Sequence, residues 1–156
     1  MTSNIELGTI LVVDDNLDVR EFAKTFLETA GYTVITAIDG EEALRLNEKH
    51  QSTVVLLLTE VVMPNINGFE LADRVLGIDA QLPVLFMSGE AWSPYRGLDC
   101  LVKPFRSAEL VEGVRRALNT AHTRDERLPA HSAGYEGGGH PILAMSGLKQ
   151  GDWFRS

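Results

Sequence analysis

Hydrophobic positions along the chain switch repeatedly between a helical and a strand-like pattern. Thr9–Val13 is a short apolar run that stops at Asp14 and Asp15, as a buried strand does. Val19, Phe22, Ala23, Phe26, Leu27 and Ala30 then recur at helical spacing, and Gly31 supplies a stop. Tyr32–Ala37 is rich in β-branched residues and reads as a second strand, after which Asp39 and Gly40 turn into a helix over Glu41–Lys49. Val54–Leu58 is uninterrupted apolar sequence, the pattern of a central parallel strand covered on both faces. A loop through Pro64 and Gly68 leads to a helix with Phe69, Ala72, Val75 and Leu76 facing inward. Pro83–Met87 predicts a fourth strand and Cys100–Val102 a fifth. Leu110, Val111, Val114, Ala117 and Leu118 form the inner stripe of a last helix, with Ser107 placed as its N-cap.

This alternation predicts an α/β fold: a doubly wound, five-stranded parallel sheet with helices on both faces. Such folds gather polar sites at the carboxyl ends of the strands. Asp14 and Asp15 end the first strand, Glu60 follows the third, Ser88 ends the fourth and Lys103 follows the fifth. Any one of them alone reads as a solvated loop residue. Their convergence on one edge of the sheet is what marks a site.

Composition narrows the class. The 156 residues are 44% hydrophobic and 23% charged, which suits one globular domain and is too apolar for a disordered chain. No apolar run approaches the ~20 residues of a membrane span. The start, MTSNIELG, lacks the basic and apolar regions of a signal peptide. Cys100 is the only cysteine, so no intrachain disulfide can form and a reducing cytoplasm is the expected setting. Residues 1–118 carry 10 Lys/Arg against 18 Asp/Glu and so account for the whole net charge of −8. An acidic body without a basic stripe argues against direct nucleic-acid binding.

Four motifs in register carry a family resemblance: ILVVDDN, LLLTEVVMPNINGFEL, LFMSG and LVKPF. Together they resemble the receiver (response-regulator) domain of two-component signalling, over about residues 8–118. The resemblance implies a flavodoxin-like receiver fold and a phosphorelay role, not an enzyme. It also implies a histidine kinase or phosphotransfer protein as donor and a downstream effector protein as partner. In the family an aspartate takes the phosphoryl group as an acyl phosphate beside Mg2+, an ion that prefers hard oxygen ligands. By resemblance, Asp15 would bind the metal directly and Asp14 through water, with the acceptor carboxylate at position 60 and the Val62 carbonyl as further ligands. Ser88 would donate a hydrogen bond to the phosphoryl group, Lys103 would pair with the phosphoryl or acceptor oxygen, and a cis peptide would precede Pro104.

Three departures stand against this pattern. Glu60 occupies the acceptor position, where its extra methylene extends the carboxylate by about 1.5 Å. Misplacement by ~1 Å can cost roughly a hundredfold in rate, so phosphorylation is expected to be impaired. A glutamate reaching outward there could instead engage Ser88 and Lys103 without any phosphate. Strand alternation is expected to turn the neighbouring Thr59 away from the site. Second, the crossover between Ser88 and Lys103 is short and holds Pro94 and Gly97, leaving room for one helical turn and hardly a full fourth helix. Trp92, Tyr95 and Leu98 are its candidate cover for the sheet. Third, Cys100 stands where receivers often carry a switch aromatic, and it is read as a small, inert, buried thiol.

Periodicity is lost over residues 119–156, a Gly-rich tail expected to be disordered or to dock. It is too short for a helix-turn-helix effector. His122, His131 and His140 have no metal-ligand spacing. Ile142–Met145 and Trp153-Phe154 are apolar islands within it. The leading expectation is a stand-alone receiver acting through protein contacts. The alternatives are a slow phospho-acceptor or phosphate sink, and the detached receiver of a hybrid histidine kinase.

Overall fold

A computed structural model of the protein describes residues 7–89 and 99–127. The first helix-strand pairs run β1 (Thr9–Val13), α1 (Leu17–Thr29), β2 (Thr33–Ala37) and α2 (Gly40–Lys49). They continue with β3 (Val54–Glu60), α3 (Gly68–Ile78), β4 (Val84–Ser88), β5 (Cys100–Val102) and α4 (Ser107–Arg127). The strands are all parallel in the order β2-β1-β3-β4-β5, the doubly wound flavodoxin-like arrangement. Among the described residues four helices accompany the five strands, in keeping with a shortened or missing fourth helix. The crossover itself, with Trp92, Tyr95 and Leu98, lies outside the described residues.

Two apolar layers sandwich the sheet. On one face Leu11, Leu57, Phe69, Val75 and Phe86 pack under α2 and α3. On the other, Ile10, Leu27, Leu58, Met87 and Val114 pack under α1 and α4. Both sets are read out of the same strands by period-two alternation. β3 is buried almost throughout because it is central and covered on both sides.

Short polar side chains begin three of the helices. Asn16, Asp39 and Asn67 each accept from a backbone N–H two or three residues on, all at 2.8 Å. α1 ends in a Schellman turn. Gly31, at φ 108°, donates to the Glu28 carbonyl at 3.0 Å, and Tyr32 donates to Leu27 at 3.1 Å.

Several boundaries differ from the sequence reading. β3 continues through Thr59 to Glu60, so the glutamate ends the strand instead of following it. Pairing with β4 up to Met87 carries it that far. At the start of α4 it is the Arg106 carbonyl that accepts the first helical bond, from Leu110 at 3.0 Å. Arg106 is therefore the N-cap, and Ser107 is the first helical residue. Glu109 reaches back to the Arg106 N–H at 3.3 Å, half of a capping box. The same helix runs to Arg127, nine residues beyond Leu118. Loss of an apolar stripe does not end a helix, whose backbone hydrogen bonds can continue beyond it. Residues 128–156 lie outside the described residues.

Candidate functional site

Backbone bonds between neighbouring strand ends draw the site together. Asp14 donates to the Ala37 carbonyl at 3.2 Å, Val61 to Met87 at 3.0 Å, and Lys103 to Ser88 at 2.7 Å. Gly68 completes the support beneath Glu60. Its N–H donates to the Val61 carbonyl at 2.8 Å, and a Cβ at this position would overlap the Glu60 carbonyl oxygen. Only glycine lets α3 start so close to the end of β3. The Lys103–Pro104 peptide is cis.

The site is a triad of charges, two buried carboxylates and a half-buried ammonium. The Lys103 ammonium lies 2.6 Å from Asp14 Oδ2 and 2.6 Å from Glu60 Oε2. Asp14 is fully buried and Glu60 is 7% exposed. The second Asp14 oxygen accepts from the Asn16 N–H at 2.9 Å. Glu60 is less well provided. Its Oε1 accepts from the Val62 N–H at a long 3.4 Å. Its Oε2 is buried, and its one close polar neighbour is the Lys103 ammonium, which approaches at a poor hydrogen-bond angle.

Burial raises the Glu60 pKa above the ordinary carboxylate range, and the Asp14 charge adds to this, while Lys103 and the Val62 N–H act in opposition. For Lys103 burial acts to lower the pKa, but the contacts and charges of Asp14 and Glu60 outweigh it and raise the value. The ammonium is therefore held charged between the two carboxylates.

The site residues named from sequence all lie among the described residues. Asp14, Glu60 and Lys103 meet. Ser88 is buried at the end of β4, next to the Lys103 backbone. Asp15 and Val62 are exposed at the rim. Thr59 is buried, its hydroxyl donating to the Glu60 carbonyl at 2.9 Å. Two readings need correction. Glu60 does not extend outward, because Lys103 draws its carboxylate into the buried cluster. Cys100 is exposed, not buried: it sits on a short edge strand, and only its neighbour Leu101 packs toward α4. Sequence reasoning also passed over Arg20, whose Nη1 donates to the Asp14 carbonyl at 2.7 Å. Its position four residues beyond the Asn16 cap, on the first turn of α1, is the signal that points to it.

The oxygens of Asp14, Asp15, Glu60 and Val62 suit Mg2+ by type. Among the described residues no three acidic, His or Cys side chains are grouped to hold an ion, and Lys103 already stands between Asp14 and Glu60.

A parallel 2-1-3-4-5 sheet with an acidic pair, a carboxylate and a lysine at its carboxyl edge defines a phosphorelay signalling module. Residues 10–115 match the family described as response regulator receiver domain, and the chain belongs to that family. A CpxR homolog from Haemophilus influenzae, a transcriptional regulatory protein, is 35% identical over 120 residues, covering 72% of this chain and 51% of the relative. A probable transcriptional regulator ycf27 of Porphyra purpurea is 36% identical over 119 residues, covering 72% and 48%. The chain thus spans about half the length of these curated relatives.

Among solved structures, the receiver domain of the hybrid histidine kinase CckA matches with a TM-score of 0.64 and 39% identity, covering 71% of this chain and 99% of that one. The chemotaxis response regulator CheY4 of Vibrio cholerae matches with a TM-score of 0.66 and 31% identity, covering 71% and 98%. No described helix is long and apolar enough to cross a membrane.

Proposed function

We propose that this receiver acts through protein–protein contacts in the cytoplasm, with phosphorylation at Glu60 impaired or lost. The observation that supports this most directly is the 2.6 Å contact between Lys103 and a Glu60 carboxylate that is almost wholly buried. Pairing with Lys103 fixes the carboxylate of a side chain that is one methylene too long, and misplacement by ~1 Å can cost roughly a hundredfold in rate.

By resemblance, Mg2+ would be held by Asp14, Asp15, Glu60 and the Val62 carbonyl, and it would neutralise phosphoryl oxygens when bound. In this chain Lys103 already compensates two of those carboxylates, so dependence on the metal is weakened. A sensor kinase or phosphotransfer protein and a downstream effector are the partners this reading names, with no direct nucleic-acid contact. A second reading, the detached receiver of a hybrid kinase, is favoured by the 39% identity to the CckA receiver. Acetyl phosphate with Mg2+, followed by intact-mass measurement, tests the main reading. The wild-type chain should gain little phosphate and Glu60→Asp much more. Equal labelling of the two proteins would overturn it.

A further inference from the structure

The two edges of the sheet are not alike. β5 closes one side with three residues, Cys100–Val102. β2 closes the other with five, Thr33–Ala37, and all but Ala37 are β-branched. Edge strands are ordinarily blunted by brevity, a charge, a proline or a bulge. β2 carries no charge and no proline, and it runs beside β1 without a shift of register.

Its outward backbone groups form a bounded set. Successive residues of a strand point their N–H and C=O to opposite sides. Thr33 donates to the Gly8 carbonyl at 3.0 Å, and the Ala37 carbonyl accepts from Asp14 at 3.2 Å, so Thr33, Ile35 and Ala37 face β1. Val34 and Thr36 therefore turn two donors and two acceptors to the open side, where no described strand lies. The next outward donors are already engaged. The Tyr32 N–H bonds the Leu27 carbonyl at 3.1 Å, and the Ile38 N–H bonds Glu42 Oε1 at 3.1 Å. Between these two stops the open groups are symmetric about Ile35.

That symmetry fits a second copy of the chain. With two β2 strands antiparallel about Ile35, Val34 of each copy exchanges both bonds with Thr36 of the other, and all the open groups are paired. Ile35, half-buried against the apolar layer under α2 and α3, meets its own equivalent in the closely spaced central pair, with Cα atoms ~4.5 Å apart. The helices beside β2 expose charges of both signs, Lys24 and Glu28 on α1 and Glu41, Arg45 and Lys49 on α2. No field of one sign guards this edge.

We propose that β2 pairs antiparallel with β2 of a second copy, joining the two sheets into one about a twofold axis at Ile35. The two carboxyl edges then point in opposite directions, so both sites stay open to other proteins. This goes beyond the reading of contact with signalling partners and does not depend on whether Glu60 accepts phosphate. Its test contains no phosphodonor, so its failure is separate from that of the labelling experiment.

Sedimentation of the full chain should show a concentration-dependent dimer that tightens with added salt, because each copy carries a net charge of −8. Ile35→Lys sets like charges across the axis, and Thr36→Pro removes an outward donor. Each should weaken the dimer at least about tenfold, with circular dichroism checking that the variants stay folded. Ile35→Glu should weaken it as well, and mixing the Lys and Glu variants should restore it, since pairing about Ile35 sets opposite charges together. A wild type that is monomeric at its highest soluble concentration overturns the proposal. So does a dimer unchanged by Ile35→Lys, or a Lys and Glu mixture that stays monomeric. A monomeric wild type that binds a labelled strand peptide at this edge also overturns it, because the edge would then belong to another protein.

Discussion

The Lys103 ammonium sits 2.6 Å from Glu60 Oε2, yet the glutamate keeps a raised pKa. Desolvation of the carboxylate, together with the charge of fully buried Asp14, outweighs the attraction of the one cation. The pair is best understood as compensation for buried charge, not as a source of net stability. Removing the cation should accordingly be far worse than removing the glutamate charge.

Lys103→Met should lower the unfolding free energy by roughly 3–5 kcal/mol, the cost of leaving buried carboxylates unpaired. Glu60→Gln should recover part of that loss. A double-mutant cycle in urea should give a coupling of roughly 1–3 kcal/mol. Strict additivity would mean that the two side chains do not interact.

Acidity should act on Glu60 in a defined direction. Because its folded pKa is raised, the folded state holds the proton more tightly than the unfolded chain, and this contribution is fully present below the ordinary glutamate range. It is lost as pH rises through the raised folded value. Glu60→Gln should therefore gain stability relative to wild type between pH 4 and pH 7, as read from unfolding midpoints over that range. A difference that stayed constant or shrank would contradict the burial argument.

Gly68→Ala should destabilise the fold by roughly 1–3 kcal/mol, since the new methyl group meets the rigid Glu60 carbonyl. The melting temperature should drop by several degrees. Gly77→Ala is the control, with nothing near its added Cβ. Equal melting of the two variants would show that α3 can slide away from β3.

Cys100 is exposed, but its thiol pKa is pushed up to about 11, first by desolvation and then by the charge of Glu60. Alkylation by iodoacetamide at pH 8 should run at least about tenfold slower than for a free cysteine, because the thiolate is the nucleophile. Glu60→Gln should speed it up. Timed intact-mass measurements give both rates, and a rate equal to that of free cysteine would show the thiol to be unperturbed.

Much of this architecture was legible in the chain. Short continuous apolar runs between turn signals fit strands covered on both faces, and the stripes of Phe22 to Leu27 and Leu110 to Ala117 fit helices lying on them. The polar residues that interrupt those runs, Asp14, Glu60, Ser88 and Lys103, were therefore assigned to one sheet edge by the topology that alternation requires. Covalent order and residue type are sufficient for that much.

Other features depend on contacts between distant segments. The motifs suggest a contact between Glu60 and Lys103, but the depth of the glutamate depends on how strands 43 positions apart close around the pair. Cys100 was read as buried by its apolar neighbours, but burial depends on what covers an edge strand, which a strand pattern does not encode. The first helical bond of α4 fell to Arg106 because capping is decided by backbone geometry after a turn, and Ser107 merely had the suitable side chain. Periodicity reports which residues face a core. Which charge sits beside which, and how far each lies from water, is decided when the strands close against one another, since Coulomb and desolvation energies depend on distances that exist only in the folded chain.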